Sequence, residues 1–543
     1  MSGRASMEPM TSETPARPTR NAALMGAVTF GSRGIGFVRI WVVATVLGTT
    51  FLGNTYQGSS SVSNILFELL AAGALSAVLV PTFVKLFDSG DEEGAERLAS
   101  GLLGIALVVL GAVAVCAFFL APWIAELLSS GAPNAKTEAQ QISLSTFLLR
   151  FFVFQVILYG VGTVSTAVLY AKRRTFAASA APIANTVAVV IAMLVFRALA
   201  GGNPGLDLTN TERLVLALGG TIGVLGFVCV PTIALMRTGF RFRPRIGRPD
   251  DALRELLGHS TWAILQHCGI GILLATAMVM GNRVAGGVVA YQFAFVAIMA
   301  PYAILAMPIH TTILPDLTAD AQRGDDRAFA NTVRWALDSM ALFVIPVSAA
   351  MVALALPAMR AIAVGDTNPT VLAAALASLA LGLYPYSAFL LFARASYARG
   401  DSRTPAIVAV LTAIVGAVFI IVVGSSVEGN ARVAALGFGH TVAYVLGAAV
   451  LGILLRRRLG YACWPPSLLK AFVPSVILAC AGWWVTHTFA PEDRGATILM
   501  LVLIGGVGTA CYLGVLRIIR AGTPDHPGGT TPIVTPGDPT VSP

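Results

Sequence analysis

Apolar stretches of about 20 residues, each long enough to cross a bilayer, recur along nearly the whole chain between short polar connections. Fourteen can be counted, at about 22–48, 58–86, 99–128, 143–170, 176–199, 214–236, 255–281, 287–314, 333–356, 370–393, 404–424, 433–455, 471–489 and 495–516. Spans 2 and 8 are the least purely apolar. Segments of about 10 residues alternating in polarity, as a membrane β-barrel requires, are not seen. The pattern predicts an all-α polytopic membrane protein of about 14 transmembrane helices.

The pattern also repeats. Val80-Pro81 followed by Gly90-Asp91-Glu92 after span 2 returns as Leu314-Pro315 followed by Gly324-Asp325-Asp326 after span 8. Tyr170-Ala171-Lys172 after span 4 returns as Tyr397-Ala398-Arg399 after span 10. Spans 1–6 therefore read as a copy of spans 7–12. An even number of spans makes both copies enter from one side, which predicts two six-helix lobes related by a pseudo-two-fold along the membrane normal, plus two extra C-terminal helices. The expected divisions are a disordered N-terminus at 1–21, lobes at 22–236 and 237–470, the last two spans at 471–520, and a disordered tail at 521–543.

Composition agrees. The chain is 56% hydrophobic and 12% charged, against about 25% charged in average soluble domains, and no soluble domain of any size is left over. The net charge of +9 matters through its placement. With the N-terminus inside, 24 of the 36 Lys and Arg fall on that side and 6 on the other, so the positive-inside bias puts both termini in the cytoplasm. Clusters such as Lys172-Arg173-Arg174, Arg241 to Arg248 and Arg456-Arg457-Arg458 read as topology anchors facing anionic lipids, and no nucleic-acid partner is expected. The first 20 residues lack an apolar core, so the first span itself directs insertion. The six cysteines form no CxxC pair and read as small buried hydrophobes. No metal-ligand spacing, P-loop or nucleophile–base arrangement occurs, so no cofactor and no enzyme activity are expected.

The candidate chemistry begins in the first span, with Arg33 and Arg39. An arginine at a membrane helix centre costs roughly 2.5–3.5 kcal/mol on the insertion scale, so two in one span need a partner, a wet cavity or an anionic substrate. At about 100° per residue they differ by about 120° around the helix. Both can border a wide cavity, and guanidinium groups suit phosphate; the alternative is an interhelical ion pair or snorkelling. Gly31, Gly34 and Gly36 permit close helix approach or a bend. Glu68 in span 2 can neutralise an arginine or carry a cation or proton. Asn54, Gln57, Ser61 and Asn64 are neutral donors near the start of span 2. Gln266, His267 and His310 are isolated polar groups in apolar segments.

Ser32-Arg33-Gly34-Ile35-Gly36-Phe37-Val38-Arg39 resembles the first-helix motif of the MurJ/MviN family. The likeness continues through Asn64, Gly73-Ala74-Leu75-Ser76 and Val80-Pro81-Thr82-Phe83, then Ala121-Pro122-Trp123. It returns at Leu169-Tyr170-Ala171-Lys172 with Ala181-Pro182-Ile183-Ala184-Asn185, and at Tyr397-Ala398-Arg399-Gly400-Asp401-Ser402-Arg403-Thr404-Pro405. The resemblance covers about residues 22 to 515. It implies a lipid II flippase of the multidrug/oligosaccharidyl-lipid/polysaccharide exporter superfamily, in the plasma membrane. Two lobes would enclose a cationic cavity that passes undecaprenyl-diphosphate-linked peptidoglycan precursor by alternating access. Cavity arginines would hold the diphosphate, and the lipid tail would lie in a groove beside spans 13 and 14. Cell-wall synthesis proteins are the partners it implies. The substrate-binding set carried over is Arg33, Arg39, Asn54, Asn64 and Glu68.

The chain departs from the family pattern at several of these places. An arginine pair expected after Asn64 is Phe67 and Glu68, an acidic residue is replaced by Ala72, and an aspartate is replaced by Asn54. An Asp-Arg-x-x-Glu pattern in span 8 is replaced by Phe295, Val296 and Met299. Two other readings follow. One is a drug or cation exporter, which should offer several buried carboxylates where Glu68 stands almost alone, with Asp338 nearer a span end. The other is a non-transporting scaffold of cell-wall synthesis.

Overall fold

The computed structural model describes residues 18–67, 73–245 and 251–521, apart from 203, 242, 466, 467, 490 and 492. Glu68 and Ala72, both singled out from the sequence, lie outside the described residues, as do the two terminal segments before 18 and after 521. Arg33 is described only as backbone.

Among the described residues the chain is helical and twelve segments are long and apolar enough to cross a membrane, with a shorter apolar stretch at Gly34–Leu47. That stretch is the second half of α1 (Pro18–Leu47). Span 2 starts earlier than the hydropathy suggests, as α2 (Phe51–Phe67) and α3 (Gly73–Asp88). These bring the crossings to the fourteen expected. The first repeat is completed by α4 (Glu92–Ser129), α5 (Ala135–Phe152), α6 (Gln155–Ala171), α7 (Thr175–Ala200) and α8 (Asn210–Met236). The second comprises α9 (Asp251–Gly281), α10 (Gly287–Pro301), α11 (Met307–Thr312), α12 (Leu314–Arg323), α13 (Asp326–Ala353), α14 (Ala355–Ile362), α15 (Pro369–Ala380), α16 (Leu383–Ala398), α17 (Arg403–Ser426) and α18 (Gly429–Leu459). Between α10 and α11 the chain makes one π-turn, Tyr302–Ala306.

The two repeats pack alike. In the first, α1 lies on α7, α7 on α8, α8 on α6, α6 on α4 and α5 on α2. In the second, α9 lies on α17, α17 on α18, α18 on α16, α16 on α13 and α15 on α10. The same pairing in the same chain order gives the two lobes. Lipid tails are as apolar as leucine, so helix pairs here gain mainly by close approach of small residues. Gly219 of α8 sits where a Cβ would come 2.2 Å from that of Ala192, and Gly416 of α17 where one would come 2.6 Å from the Gly439 carbonyl. In contrast, a Cβ at Gly31, Gly34 or Gly36 meets nothing within 4 Å. The close approach expected there is not used, and α1 runs through without a break. Outside the lobes, α19 (Leu468–Thr488) lies on α13, and α20 (Arg494–Ala521) on α14 and α19.

The repeated sequence signals have matching geometry. Gly90 and Gly324 both turn with positive φ, 76° and 70°, which glycine adopts without steric cost. The next residue caps a helix in each lobe: Asp91 accepts from the Gly94 amide at 2.7 Å, and Asp325 from the Ala328 amide at 2.9 Å. Lys172 then reaches Glu92 at 3.3 Å, as Arg399 reaches Asp326 at 2.5 Å. Each cation also lies over aromatic rings, Lys172 over Phe87 and Phe240 and Arg399 over Phe329. One residue further on, the lobes diverge. Gly400 has φ 77°, and the equivalent place holds Arg173, with φ 56°. That conformation costs an L-residue roughly 1 kcal/mol.

Asp401, in the turn between α16 and α17, accepts from the Thr404 amide at 2.9 Å and pairs with Arg458. Burial pushes its carboxyl up, but the Thr404 and Arg458 hydrogen bonds and the Arg458 charge outweigh burial and hold it below the ordinary carboxylate range. A depressed carboxyl stabilises the fold above its unfolded pKa, about 3.9, and loses that contribution as pH falls through the folded value. Asp401→Asn is therefore expected to lower the detergent-solubilised Tm at pH 7, with the gap from wild type closing below pH of about 4. A gap that stays constant across a pH series of melts would reject this account.

Candidate functional site

The lobes meet in two ways, across a cavity and across a closed end. The cavity, about 570 Å³, lies between α1, α2 and α7 of the first lobe and α10 of the second. Its first wall carries most of the polar groups, among apolar ones such as Phe37, Val43 and Phe227: Arg39 on α1, Gln57, Ser60, Ser61 and Asn64 on α2, and Ser179, Asn185 and Thr186 on α7, with Tyr170 from α6. Its second wall is apolar apart from Gln292: Phe295, Val296, Met299 and Ala300. The spacing explains the difference. Positions 292, 295, 296 and 299 form one helical face of α10, and only the first is polar.

Among the described residues Arg39 is the one charged residue in the lining and makes no ion pair. Asn64 shares that lining. Tyr159 in turn donates to Asn64 Oδ1 at 3.1 Å. Arg39, Tyr159 and Asn64 thus form a donor-rich corner beside Gln57 and the α2 serines. Arg33 lies six residues back on α1, about 9 Å along the axis.

Asn54 is placed elsewhere. It is 2% exposed, and its amide donates to the Val284 carbonyl at 2.8 Å while its oxygen accepts from the Val288 amide at 3.0 Å. It spans the lobes by capping the α9–α10 turn, and it is not in the cavity wall. Around it the hydrogen bonds that close this end join neutral groups. Gln141 and Asn282 exchange a reciprocal pair of amide bonds, both 3.0 Å. Thr49 donates to the Asp366 carbonyl and accepts from the Asn368 amide, and Trp41 donates to the Ile362 carbonyl. Gln292 donates to Ser61 at 2.6 Å, where the seam meets the cavity. Gly286, with φ 73°, packs so tightly on Thr49 that a Cβ would lie 2.3 Å from the threonine Cβ.

The other polar groups noted in the sequence serve packing within the second lobe. Gln266 accepts from Tyr397, and His310 lies fully buried against Met340, 3.2 Å from its sulfur. Neither lines the cavity. Two residues are not singled out by the sequence: Gln292, in the wall, and Tyr159, outside the lining but bonded to Asn64. The signal for Gln292 was present, a lone amide in the run Gly287–Phe295. Beside the lobes, α13, α19 and α20 enclose an almost wholly apolar groove of about 400 Å³, lined among others by Leu342, Phe343, Val347, Leu478, Ile504 and Leu513.

Two pseudo-equivalent helical lobes around a central cavity, with about fourteen crossings, define a multi-pass membrane protein of the alternating-access transporter class. The family model described as "Lipid II flippase MurJ" matches residues 43–503, and the chain belongs to that family. The matched stretch begins four residues after Arg39. A "Probable lipid II flippase MurJ" of Rhizobium tropici is 24% identical over 510 residues, 91% of this chain and 92% of the relative. The "Lipid II flippase MurJ" of Burkholderia cenocepacia is 23% identical, covering 90% and 95%. Among solved structures, "Lipid II flippase MurJ, inward closed conformation" superposes with a TM-score of 0.70 at 17% identity, over 92% of this chain and 99% of that one. An inward-facing multidrug-resistance transporter of the MATE family follows the same fold, with a TM-score of 0.61 at 14% identity over 83% and 99%.

Proposed function

We propose that this chain is a flippase for lipid II, the polyprenyl-diphosphate-linked peptidoglycan precursor, and that it works by alternating access. Family membership over most of the chain carries the reading, and the cavity gives it a physical form. A diphosphate needs cationic and hydrogen-bonding donors, and the first wall offers Arg39 with Asn64, Gln57, Ser60 and Ser61 around it. Arg33 and Glu68 belong to the same proposal, one as a second cation and the other as a counter-ion. Asn54 holds the closed end in this state, so its part is in the lobe movement. The groove along α13, α19 and α20 suits the polyprenyl tail, because a long hydrocarbon there gives up no polar contact. The wall contains no carboxylate among the described residues, which disfavours a cation exporter.

The 24-to-6 distribution of Lys and Arg supports placing the start of α1 on the cytoplasmic side. The seam is then at the outer end, and the state seen is closed outward. Anionic phospholipids at the cytoplasmic clusters and cell-wall synthesis proteins are the further partners this reading names. The test is depletion of the protein in its own host, with any second family member removed, while lipid II exposed at the outer surface is measured. A fall is expected. Undiminished surface lipid II would reject the assignment.

A further inference from the structure

The turn between α6 and α7 carries three successive cations with different fates. Lys172 is fixed, paired with Glu92 and wedged between Phe87 and Phe240. Arg173 and Arg174 are exposed, and among the described residues neither guanidinium has an ion-pair or hydrogen-bond partner. The other lobe shows what the fold places at this turn when nothing else is asked of it. There the two residues are Gly400, whose φ of 77° suits glycine, and Asp401, which neutralises Arg458. The first lobe has an arginine in the left-handed conformation and a second arginine in place of the acid. Fold geometry explains neither substitution.

Their position gives a reason. On α7 the cavity wall is formed by Ala178, Pro182 and Asn185, and continuing that helical face back by four residues reaches Arg174. Tyr170, three residues before Arg173, is itself in the wall. The unpaired charges therefore sit at the cavity's rim, one turn beyond its wall. We propose that Arg173 and Arg174 form a capture site for the diphosphate of the lipid-linked substrate, loading it into the cavity ahead of Arg39. This rests on the reading of the cavity as a lipid-diphosphate site. It also adds cationic character to a cavity whose described lining holds Arg39 alone. Exposed charges act over about 10 Å at 0.1 M salt and set association rate more than residence time.

The test uses full-length protein in nanodiscs with fluorescent lipid II as the probe, read as association and dissociation rates across ionic strength. Arg173→Gly relieves the backbone conformation while removing the charge, so the R173G/R174Q double variant is expected to fold. Its association rate should fall about tenfold at low salt and converge on wild type at high salt, with dissociation unchanged. R174K should keep the wild-type rate, and R39Q should instead speed dissociation. An unchanged association rate in the double variant, with R39Q still weakened, overturns the capture site and leaves the cavity reading standing. The same result with reduced retention of phosphatidylglycerol reassigns the pair to leaflet anchoring. Failure of the wild-type protein to bind lipid II overturns both proposals.

Discussion

Arg39→Gln abolishes lipid II export while leaving the protein folded in the membrane. The expectation follows from the cavity's charge inventory. Among the described wall residues Arg39 is the one cation, and the polar groups that share its wall, Asn64 and Gln57 among them, are neutral. A hydrogen bond to a charged group contributes about 1.5–3 kcal/mol, which is about 10–100-fold in affinity for a diphosphate. Arg39→Lys should recover only part of this, because a single ammonium cannot make the forked, two-bond contact of a guanidinium. Complementation of a depleted host, with surface lipid II as the readout, checks both variants. Full complementation by R39Q would remove the diphosphate from this cavity.

The second large effect is expected at the closed end, from Asn54→Leu combined with Gly286→Ala. The leucine leaves the Val288 amide buried without its Asn54 partner, while the Val284 carbonyl loses one of two bonds and keeps that from the Gly287 amide. An amide stranded in this way costs about 1–3 kcal/mol. The alanine pushes a Cβ to 2.3 Å from that of Thr49. Once the lobes part, water satisfies the freed groups and the steric conflict disappears, so these penalties fall on the closed state. About 5.5 kcal/mol turns a 1:99 equilibrium into 99:1, so a part of that is enough to raise the open population severalfold. In a background without the native cysteines, Ser60→Cys in the cavity wall reports the change. Its labelling by a membrane-impermeant thiol reagent from the seam side should rise severalfold. Labelling that stays at the parental rate would show that this seam is not what keeps the lobes shut.

Features that depend on short-range pattern were legible in the sequence. Apolar length gave the crossings, and the paired Gly-Asp and Tyr-Ala-cation signals marked the repeat because each fixes a local turn and clasp. Arg39 was legible because a charge in an apolar span demands an explanation. Long-range pairing was not legible. Asn54 and Gln57 are three residues apart on one helix, yet one is bound to a turn 230 residues away and the other faces the cavity. Nothing local separates them. Gly34 and Gly36 suggested tight packing, but which face of α1 meets a neighbour is decided by α7 and α10. Span 10 read as one helix, while the chain breaks it between α15 and α16 around Leu381 and Gly382.

The seam has one more consequence. The bonds described across it run between amides, hydroxyls and backbone groups, none of which carries a net charge. Counter-ions screen charges, and here they find little to screen. The share of the free energy that these bonds give to holding this end shut should be indifferent to the saltiness of the surrounding medium. A cell moved between dilute and concentrated surroundings would then keep this part of its resting balance, while the arginines at the opposite rim, exposed and without an ion-pair partner among the described residues, respond to every change in ionic strength.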